Sequence, residues 1–426
     1  MSEILNLEYL KYPLENGLEV ILYPKPGIPV VSLNLWYRVG SANETRGKTG
    51  FAHLFEHMMF QGSQNVPKEK HFHFIQEAGG TLNGSTSIDR TNYYESVPSN
   101  FLEMILWLES DRMGFLLDAL TRDKLDNQKS VVMNERRERY DNQPYGRAFE
   151  TLFSNLYPED HPYHWPTIGW MEDIEKFNLD DVTSFFKKYY SPDNATLVLS
   201  GDFETENAKT LIDNYFGELS SNGGVQKITA KDFELNETKE IILEDDVQLE
   251  RIYMAWHSCE AFHEDDAILD VLSDQLGGSK NARLYKSLVH EKQLALDVSV
   301  FQYSGKYDGS FLIIATAIPG VDTEVIKEEI KSELRKVMVD GITDEELTRS
   351  QNSIKSTFIY SIQNLDTISD HINYYNFYVG DPNYFAKDLA RYNNTTRERV
   401  REVCEKYLSK PHVELKITPR GKNENK

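Results

Sequence analysis

Three residues within residues 51–60 could do metal chemistry: His53, Glu56 and His57. On a helix, residues three and four positions apart share a face, so these three side chains would point to the same side. Two neutral imidazoles four residues apart supply half of a zinc site, and a neighbouring carboxylate that is not a ligand can act as general base. The spacing therefore favours a zinc-dependent hydrolase, and the alternative is a helix that carries two histidines by chance.

The elements that position this segment follow from hydrophobic periodicity and turn residues. The histidine helix begins near Gly50 and ends by residues 62–63. Strands are predicted over 17–23, 30–37, 81–87, 91–97 and 195–200, and helices over 68–78, 101–117, 122–140 and 178–190. His71 and His73 lie two positions apart on one predicted helix and cannot face the same metal, so we interpret them as surface or packing residues.

Length and charge limit the function classes. A chain of 426 residues has room for two or three domains, each with its own core. The formal net charge of −22 argues against nucleic-acid binding, because phosphate backbones attract basic surfaces. An acidic surface instead favours solubility or cationic peptides.

The sequence also bears on the compartment. No apolar run is long enough for a membrane span, and residues 1–6 lack the pattern of a signal peptide. We therefore predict a cytoplasmic protein, or a periplasmic one if a leader has been removed. Cys259 and Cys404 have no metal-type spacing and are predicted to be core thiols.

The second half of the chain repeats the first at offsets of about 216 to 222 residues. The run Glu19–Leu22 resembles Glu240–Leu243, and residues 61–63 (Gln-Gly-Ser) resemble 277–279 (Gly-Gly-Ser). At these offsets His53, Glu56 and His57 correspond to Leu269, Leu272 and Ser273, and Glu135 corresponds to Thr357. The repeat thus predicts that both halves share one scaffold. It also predicts that these four polar residues, which the second half lacks, have a special role in the first half.

Three ordered motifs carry a resemblance to a known family. Residues 53–57 read His-Leu-Phe-Glu-His, residues 79–86 read Gly-Gly-Thr-Leu-Asn-Gly-Ser-Thr, and residues 134–137 read Asn-Glu-Arg-Arg. Together they resemble the insulinase/pitrilysin family of zinc peptidases, whose HxxEH motif reverses the commoner zincin order. The match is to the short two-domain branch that contains mitochondrial processing peptidase and related bacterial proteases.

The resemblance implies a role for each residue of the set. His53, His57 and Glu135 would bind one zinc ion per chain, and Glu56 would be the general base. Three protein ligands leave a fourth position open, as catalytic zinc requires. The implied function is a zinc endopeptidase that hydrolyses short or unfolded peptides.

The resemblance also implies substrate-binding segments. An extended peptide would pair with Leu82, Asn83, Gly84 and Ser85. The loop with Gly277, Gly278 and Arg283 resembles a glycine-rich loop that guides substrate in the partner subunit of processing peptidase, although a helix C-terminus also explains these glycines.

Two departures from the family pattern leave alternatives open. Gln128 stands where many relatives have a second glutamate, and an expected arginine–tyrosine pair in the second half has only Arg283, Tyr303 and Tyr307 as nearby candidates. The chain would therefore be a homodimer, or a heterodimer with a homologous subunit that completes the site. The alternative function is a non-catalytic or partner-dependent subunit of a peptidase or assembly complex.

The predicted fold class is α+β, with two homologous domains that each pack helices on an antiparallel sheet. The predicted boundaries are 1–220 for the zinc-binding domain, 221–236 for a linker and 237–426 for a second domain without a metal site.

Overall fold

The computed structural model describes residues 5–225, 228–230 and 233–421 and divides the chain into two compact units. Unit 1 comprises Met1–Arg136, Trp165–Ile228 and Ile359–Ala386, and unit 2 comprises Arg137–His164, Thr229–Phe358 and Lys387–Lys426. Neither unit is continuous in sequence. The boundaries 1–220 and 237–426 refer to the duplicated segments rather than to compact units, and they stay a prediction. Residues 226–227 and 231–232 of the predicted linker lie outside the described residues.

Unit 1 is built on one sheet. Its strands are β1 (Leu10–Pro13), β2 (Glu19–Pro24), β3 (Val30–Tyr37), β4 (Thr81–Thr86), β5 (Thr91–Pro98) and β6 (Ala195–Gly201). They are ordered β1-β2-β6-β3-β5-β4. The central strands β3 and β6 are buried along almost their whole length, because helices cover both faces of the sheet. In contrast β4 lies at an end of the sheet and is largely polar and partly exposed.

Unit 2 repeats this arrangement. Its strands are β7 (Lys239–Asp245), β8 (Arg251–Ser258), β9 (Ala295–Ser304), β10 (Gly309–Ala317) and β11 (Val413–Pro419). The order β7-β11-β8-β10-β9 matches the order β2-β6-β3-β5-β4 of unit 1, strand by strand. The internal repeat seen in the sequence is therefore a repeat of topology.

The α+β class with two helix-covered sheets is confirmed, but each sheet is mixed rather than antiparallel. β2 runs parallel to β6, and β7 runs parallel to β11. The reason is topological. β6 lies between β2 and β3, which run in opposite directions, so it must be parallel to one of them and antiparallel to the other.

The helices follow the predicted periodicity closely. In chain order they are α1 (Phe51–Met58), α2 (Lys70–Glu77), α3 (Leu102–Phe115), α4 (Arg122–Arg136), α5 (Ala148–Leu156), α6 (Met171–Ile174), α7 (Leu179–Tyr189), α8 (Thr205–Phe216), α9 (Asp266–Gly277), α10 (Thr323–Asp340), α11 (Asp344–Ser361), α12 (Leu365–Val379), α13 (Phe385–Asn393) and α14 (Arg397–Leu408). The predicted helix over 122–140 is shorter than expected, since a π-helix over Arg137–Asp141 follows α4.

The two units exchange one helix each. α5 comes from the first half of the chain but packs on β8 and β11 of unit 2. Its counterpart α12 comes from the second half and packs on β3 and β6 of unit 1. Each sheet is thus covered on one face by a helix from the other half of the sequence.

The face of the unit 1 sheet that receives α12 is unusually polar for an interior surface. Asp370 of α12 accepts hydrogen bonds from Trp36 Nε1 at 3.1 Å and from Asn34 Nδ2 at 3.3 Å. Ser369 donates to Ser200 Oγ at 2.9 Å. Because buried polar groups are costly unless paired, these contacts specify where α12 sits on the sheet.

The cysteines behave as predicted. Cys259 and Cys404 are buried, and no disulfide joins them. Burial raises the pKa of the Cys404 thiol to about 12 and also raises that of Cys259, so both are unreactive at neutral pH. Within the described residues, no helix is both long and apolar enough to cross a membrane.

Candidate metal centre

The histidine helix α1 begins after Gly50, and the Glu44 carboxylate accepts the first backbone N–H groups. Gly50 has φ 96°, and a Cβ atom there would lie 2.6 Å from the carbonyl oxygen of Ile168, so only glycine fits. The Glu44 carboxylate accepts the N–H groups of Gly50 and Ala52, each at 2.8 Å. Burial raises the pKa of Glu44 to about 8, although these hydrogen bonds favour its charged form. The start of α1 is therefore fixed by a buried acidic cap.

Aromatic packing sets the rotation of α1 about its axis. The Phe51 ring stacks on Phe177 with centroids 3.7 Å apart, and the Phe55 ring stacks on Tyr190 at 5.0 Å. This apolar side of the helix is buried. The side chains of His53 and His57 remain 13% and 23% exposed on the other side, where a metal can reach them.

The third side chain, Glu135, comes from α4. That helix is anchored by Arg136, whose Nη1 donates to the carbonyl oxygen of Gly169 at 3.0 Å. Glu135 Oε2 lies 3.2 Å from His57 Nε2 and 3.7 Å from His53 Nε2. Two helices far apart in sequence thus bring the three predicted ligands together.

The donor set of these three residues fits a zinc ion. One ligand atom from each residue lies within 4.8 Å of the other two. Two imidazole nitrogens and a carboxylate oxygen are donors that zinc accepts, and a three-residue set leaves a coordination position for another molecule. The set therefore has the composition of a catalytic rather than a structural zinc site.

Glu56 lies on the same helix but takes a different partner. Thr86 Oγ1 on β4 donates a hydrogen bond to Glu56 Oε2 at 2.7 Å. Burial raises the pKa of Glu56, and the Thr86 hydrogen bond and the positive charge of Arg90 offset part of that increase. A desolvated carboxylate that is held in one orientation is suited to accept and return a proton.

The strand β4 brings Gly84 against Glu56. A Cβ atom at Gly84 would lie 3.2 Å from Glu56 Cγ, 3.2 Å from Tyr93 Cδ1 and 3.3 Å from Phe60 Cε2. A side chain at this position would therefore press on the catalytic candidate. The absence of a side chain lets the backbone of β4 approach α1 closely.

The other predicted residues of β4 are placed differently. Leu82 and Asn83 pair with Glu95 and Tyr94 of β5. Ser85 Oγ donates to Asn92 Oδ1 at 2.6 Å on the opposite face of the sheet from Glu56. β4 is an end strand of its sheet, so its outer edge can receive an added strand. Substrate binding by these residues stays a prediction.

A buried charge cluster behind α1 was not foreseen in the sequence. It consists of His71, Glu95, Glu109 and Arg112, which we call the buried ion cluster. Arg112 donates to Glu109 through Nε at 2.9 Å and to Glu95 through Nη2 at 3.2 Å. His71 Nε2 lies 3.4 Å from Glu95 Oε1, and burial lowers the pKa of His71 to about 3.

The buried ion cluster supports the candidate site rather than forming a second metal site. The guanidinium of Arg112 already supplies the positive charge between the carboxylates, so a metal ion would meet a competing cation. Arg112 lies over the rings of Tyr93 at 4.2 Å and Phe60 at 5.2 Å. These are the two rings that border Gly84. In the sequence, this cluster is indicated by charged residues at inward-facing positions of β5 and α3.

Gly277, Gly278 and Arg283 lie in unit 2 and have structural roles there. A Cβ atom at Gly277 would lie 2.7 Å from Val300 Cγ2, so glycine permits close packing of α9 on β9. Gly278 directly follows α9. Arg283 donates to both carboxylate oxygens of Glu346 at 2.7 Å each. Their contact with substrate stays a prediction.

The departures from the family pattern are also visible within each unit. Gln128 is buried on α4 and lies two helical turns before Glu135. Tyr303 lies beside Phe153, with ring centroids 6.0 Å apart, and the backbone N–H of Tyr307 donates to Tyr163 Oη at 3.0 Å.

Two protein-family models match this chain. The family described as "Insulinase (Peptidase family M16)" matches residues 19–164, and "Peptidase M16 inactive domain" matches residues 176–354. The zinc protease PqqE of Helicobacter pylori is 33% identical over 366 residues, which cover 84% of this chain and 80% of that protein.

Solved structures match along nearly the whole chain. A Helicobacter pylori protease has a TM-score of 0.91 at 27% identity, with 97% of this chain and 100% of that chain covered. A chain of complex III2 from Candida albicans has a TM-score of 0.79 at 15% identity, with 97% and 96% covered, and shows a shared fold alone. Two family models in the expected order and a relative at 33% identity lead to one conclusion: this chain is a two-domain member of the M16 insulinase family of peptidases.

Proposed function

We propose that this chain is a zinc-dependent endopeptidase that hydrolyses short or unfolded peptides. The observation that carries the proposal is the convergence of His53, His57 and Glu135 beside a partly buried Glu56 that is oriented by an end strand. The zinc protease relative supports the same class of activity.

The metal ligands, Glu56 and Thr86 have different roles in this reaction. Zinc held by His53, His57 and Glu135 would supply Lewis acidity to the peptide carbonyl and to water. Glu56 takes the proton from the attacking water and delivers it to the amine that leaves. Thr86 keeps the carboxylate of Glu56 in one orientation for both transfers. These five residues therefore account for the attack of water and for the departure of the amine.

The end strand explains why the substrate would be unfolded. A peptide that pairs with the outer edge of β4 must be extended, because it adds a strand to the sheet. Gly84 lets the backbone of β4 approach Glu56 closely, so a peptide paired with β4 would lie near the candidate general base. Main-chain pairing of this kind selects for extension more than for side-chain identity.

The zinc assignment predicts a difference between two neighbouring glutamates. Purified without a histidine tag, the protein is expected to contain about one zinc per chain. Glu135→Gln replaces an anionic donor with a neutral one and is expected to lose zinc at a chelator concentration that wild type withstands. Elemental analysis after dialysis measures this. Glu138→Gln, an exposed position in the same charged run, is the matched control, and equal zinc loss in both variants would contradict the assignment.

The close contact at Gly84 predicts a defect in catalysis without a defect in metal binding. Gly84→Ala places a Cβ atom 3.2 Å from Glu56 Cγ and displaces that side chain by a few tenths of an ångström. Cleavage is expected to fall about tenfold while zinc content stays constant, because small misplacement of a catalytic group is costly. Thr81→Ala, at an exposed position of the same strand, is the control. Unchanged cleavage in Gly84→Ala would show that β4 does not set the position of Glu56.

A partner-dependent subunit is the second candidate function. The glutamine at position 128, where many relatives have a glutamate, favours it. In that case the isolated chain would bind zinc but cleave no peptide, and addition of a homologous subunit would restore cleavage. We propose a dimer, with itself or with such a subunit, and analytical ultracentrifugation of the purified chain tests it.

A further inference from the structure

A polar cavity in unit 1 lies on the face of its sheet opposite to the candidate metal centre. Its volume is about 380 Å³. It is lined by Asn34, Ser85, Arg90, Asn92, Asp366 and Asp370, among others. Ser85 belongs to β4, so the cavity opens beside the same end strand that would hold the peptide.

The charges of the cavity favour a cationic occupant. Asp366 and Asp370 supply two carboxylates from α12, against one guanidinium from Arg90. Asp366 Oδ1 is buried and has no hydrogen-bond partner within the part of the chain that the structure describes. A buried acceptor of this kind gains most from an N–H donor brought by a ligand.

Arg90 does not neutralise these carboxylates directly. Its Nη1 atom donates to the carbonyl oxygen of Ser85 at 2.9 Å and to Asn92 Oδ1 at 3.2 Å. Its guanidinium lies over the ring of Trp36, 5.1 Å from the centroid. Arg90 is thus committed to the sheet. Asp370 Oδ1 accepts hydrogen bonds from the neutral groups of Asn34, Trp36 and Asn92, and neither carboxylate of α12 has a cationic partner among the described residues.

Unit 2 provides an internal control for this cavity. In the shared topology Ser85 corresponds to Phe301 of β9, and Asn34 corresponds to Tyr253 of β8. There the exchanged helix α5 packs Phe149 against both aromatic rings, with centroids 6.0 Å from Tyr253 and 6.5 Å from Phe301. The fold is therefore compatible with an apolar wall at this place. The polar lining in unit 1 is thus not required by the fold and has another purpose.

We infer that this cavity is a specificity subsite that binds a lysine or arginine side chain of the substrate. The inference rests on the proposed peptidase function. Successive side chains of an added strand point to opposite faces of the sheet. Those beside Gly84 and Thr86 face Glu56, and the one beside Ser85 faces Asp366 and Asp370. One position of the peptide, and not its neighbours, therefore meets the acidic wall.

A positional lysine scan tests this inference. Peptides of one sequence carry lysine or the uncharged norleucine at each position in turn, and cleavage rates are compared. Lysine is expected to raise kcat/KM about tenfold over norleucine at a single position, the size expected of one partly buried charge pair. A general attraction to a chain of net charge −22 would favour lysine equally at all positions and would overturn the subsite.

Variants locate the effect on α12. In Asp366→Asn the lysine-to-norleucine ratio at that position is expected to fall towards one. Asp370→Asn keeps an acceptor oxygen for Asn34 and Trp36 while it removes the charge, and it should lower the ratio as well. Asp118→Asn removes a charge from an exposed position of unit 1 and should keep the wild-type ratio. A ratio that survives both α12 variants would overturn the inference.

Binding measurements separate the subsite from the proposed activity. The same peptides are titrated into Glu56→Gln, and binding is followed by fluorescence anisotropy. Position-specific lysine binding without cleavage by wild type would reject the peptidase function but retain the subsite. Cleavage without any positional preference would retain the peptidase function and reject the subsite. If neither cleavage nor position-specific binding is observed, the function and the subsite are both rejected.

Discussion

Glu56→Gln is expected to abolish peptide cleavage while the protein keeps its zinc. The amide has the same shape and can still accept the Thr86 hydrogen bond, but it cannot take a proton from water. Loss of a general base typically costs about 10²- to 10⁴-fold, and here the same group also serves the leaving amine. Initial rates on a fluorogenic unfolded peptide, with zinc measured on the same sample, give the result.

The control for this variant is Glu77→Gln, which removes a carboxylate from an exposed position at the end of α2. It should cleave at the wild-type rate. Cleavage by Glu56→Gln at more than about a tenth of the wild-type rate would reject Glu56 as the general base, since even the weakest such bases contribute more than that.

Arg112→Met is expected to destabilise unit 1 more than any other single change considered. Arg112 is 1% exposed and is the cation between Glu95 and Glu109, which are 1% and 0% exposed. Its removal leaves two buried carboxylates without a counter-charge, which costs about 3–5 kcal/mol of unfolding free energy. The midpoint of urea unfolding, followed by circular dichroism, measures this loss.

Two further variants make the stability test specific. Arg122→Met removes an exposed arginine from α4 and should leave the midpoint unchanged. Replacement of Glu95 and Glu109 by glutamine in the Arg112→Met background should recover part of the loss, because the buried charges are then absent. If Arg112→Met alone unfolds at the wild-type midpoint, the buried ion cluster is not an electrostatic unit.

The parts of the site that depend on local periodicity could be predicted from the sequence. His53, Glu56 and His57 lie on one helix, so their spacing alone brings them to one face. Glu135 lies on another helix, 78 positions after His57, and nothing in its charged surroundings distinguishes it from a solvated surface residue. Only the resemblance to a family predicted Glu135 as a metal ligand. In the structure, its carboxylate lies 3.2 Å from His57 Nε2.

Features that depend on long-range packing could not be predicted. The pattern of α2 leaves His71 as a surface or packing residue, and only its contact with Glu95 shows that it is buried in a charged environment. Likewise, the amphipathic patterns of α5 and α12 show that each has an apolar side, but not which sheet it covers. The exchange of these helices follows from tertiary packing alone.

That exchange has a consequence for synthesis of the protein. The last strand of the unit 1 sheet, β6, ends at Gly201, but α12 begins only at Leu365. At about 5–20 residues per second on the ribosome, the face that α12 will cover waits on the order of ten seconds for its partner. An apolar surface left open for so long would invite aggregation of nascent chains.

The polarity of that face suits the delay. Asn34 and Ser200, which later contact Asp370 and Ser369, present groups that water can satisfy until α12 arrives. We therefore expect the hydrogen-bonding groups that later specify the position of the helix to keep this face of the unfinished sheet hydrated during translation. In this protein the order in which the chain leaves the ribosome and the chemistry of its sheet surface are matched.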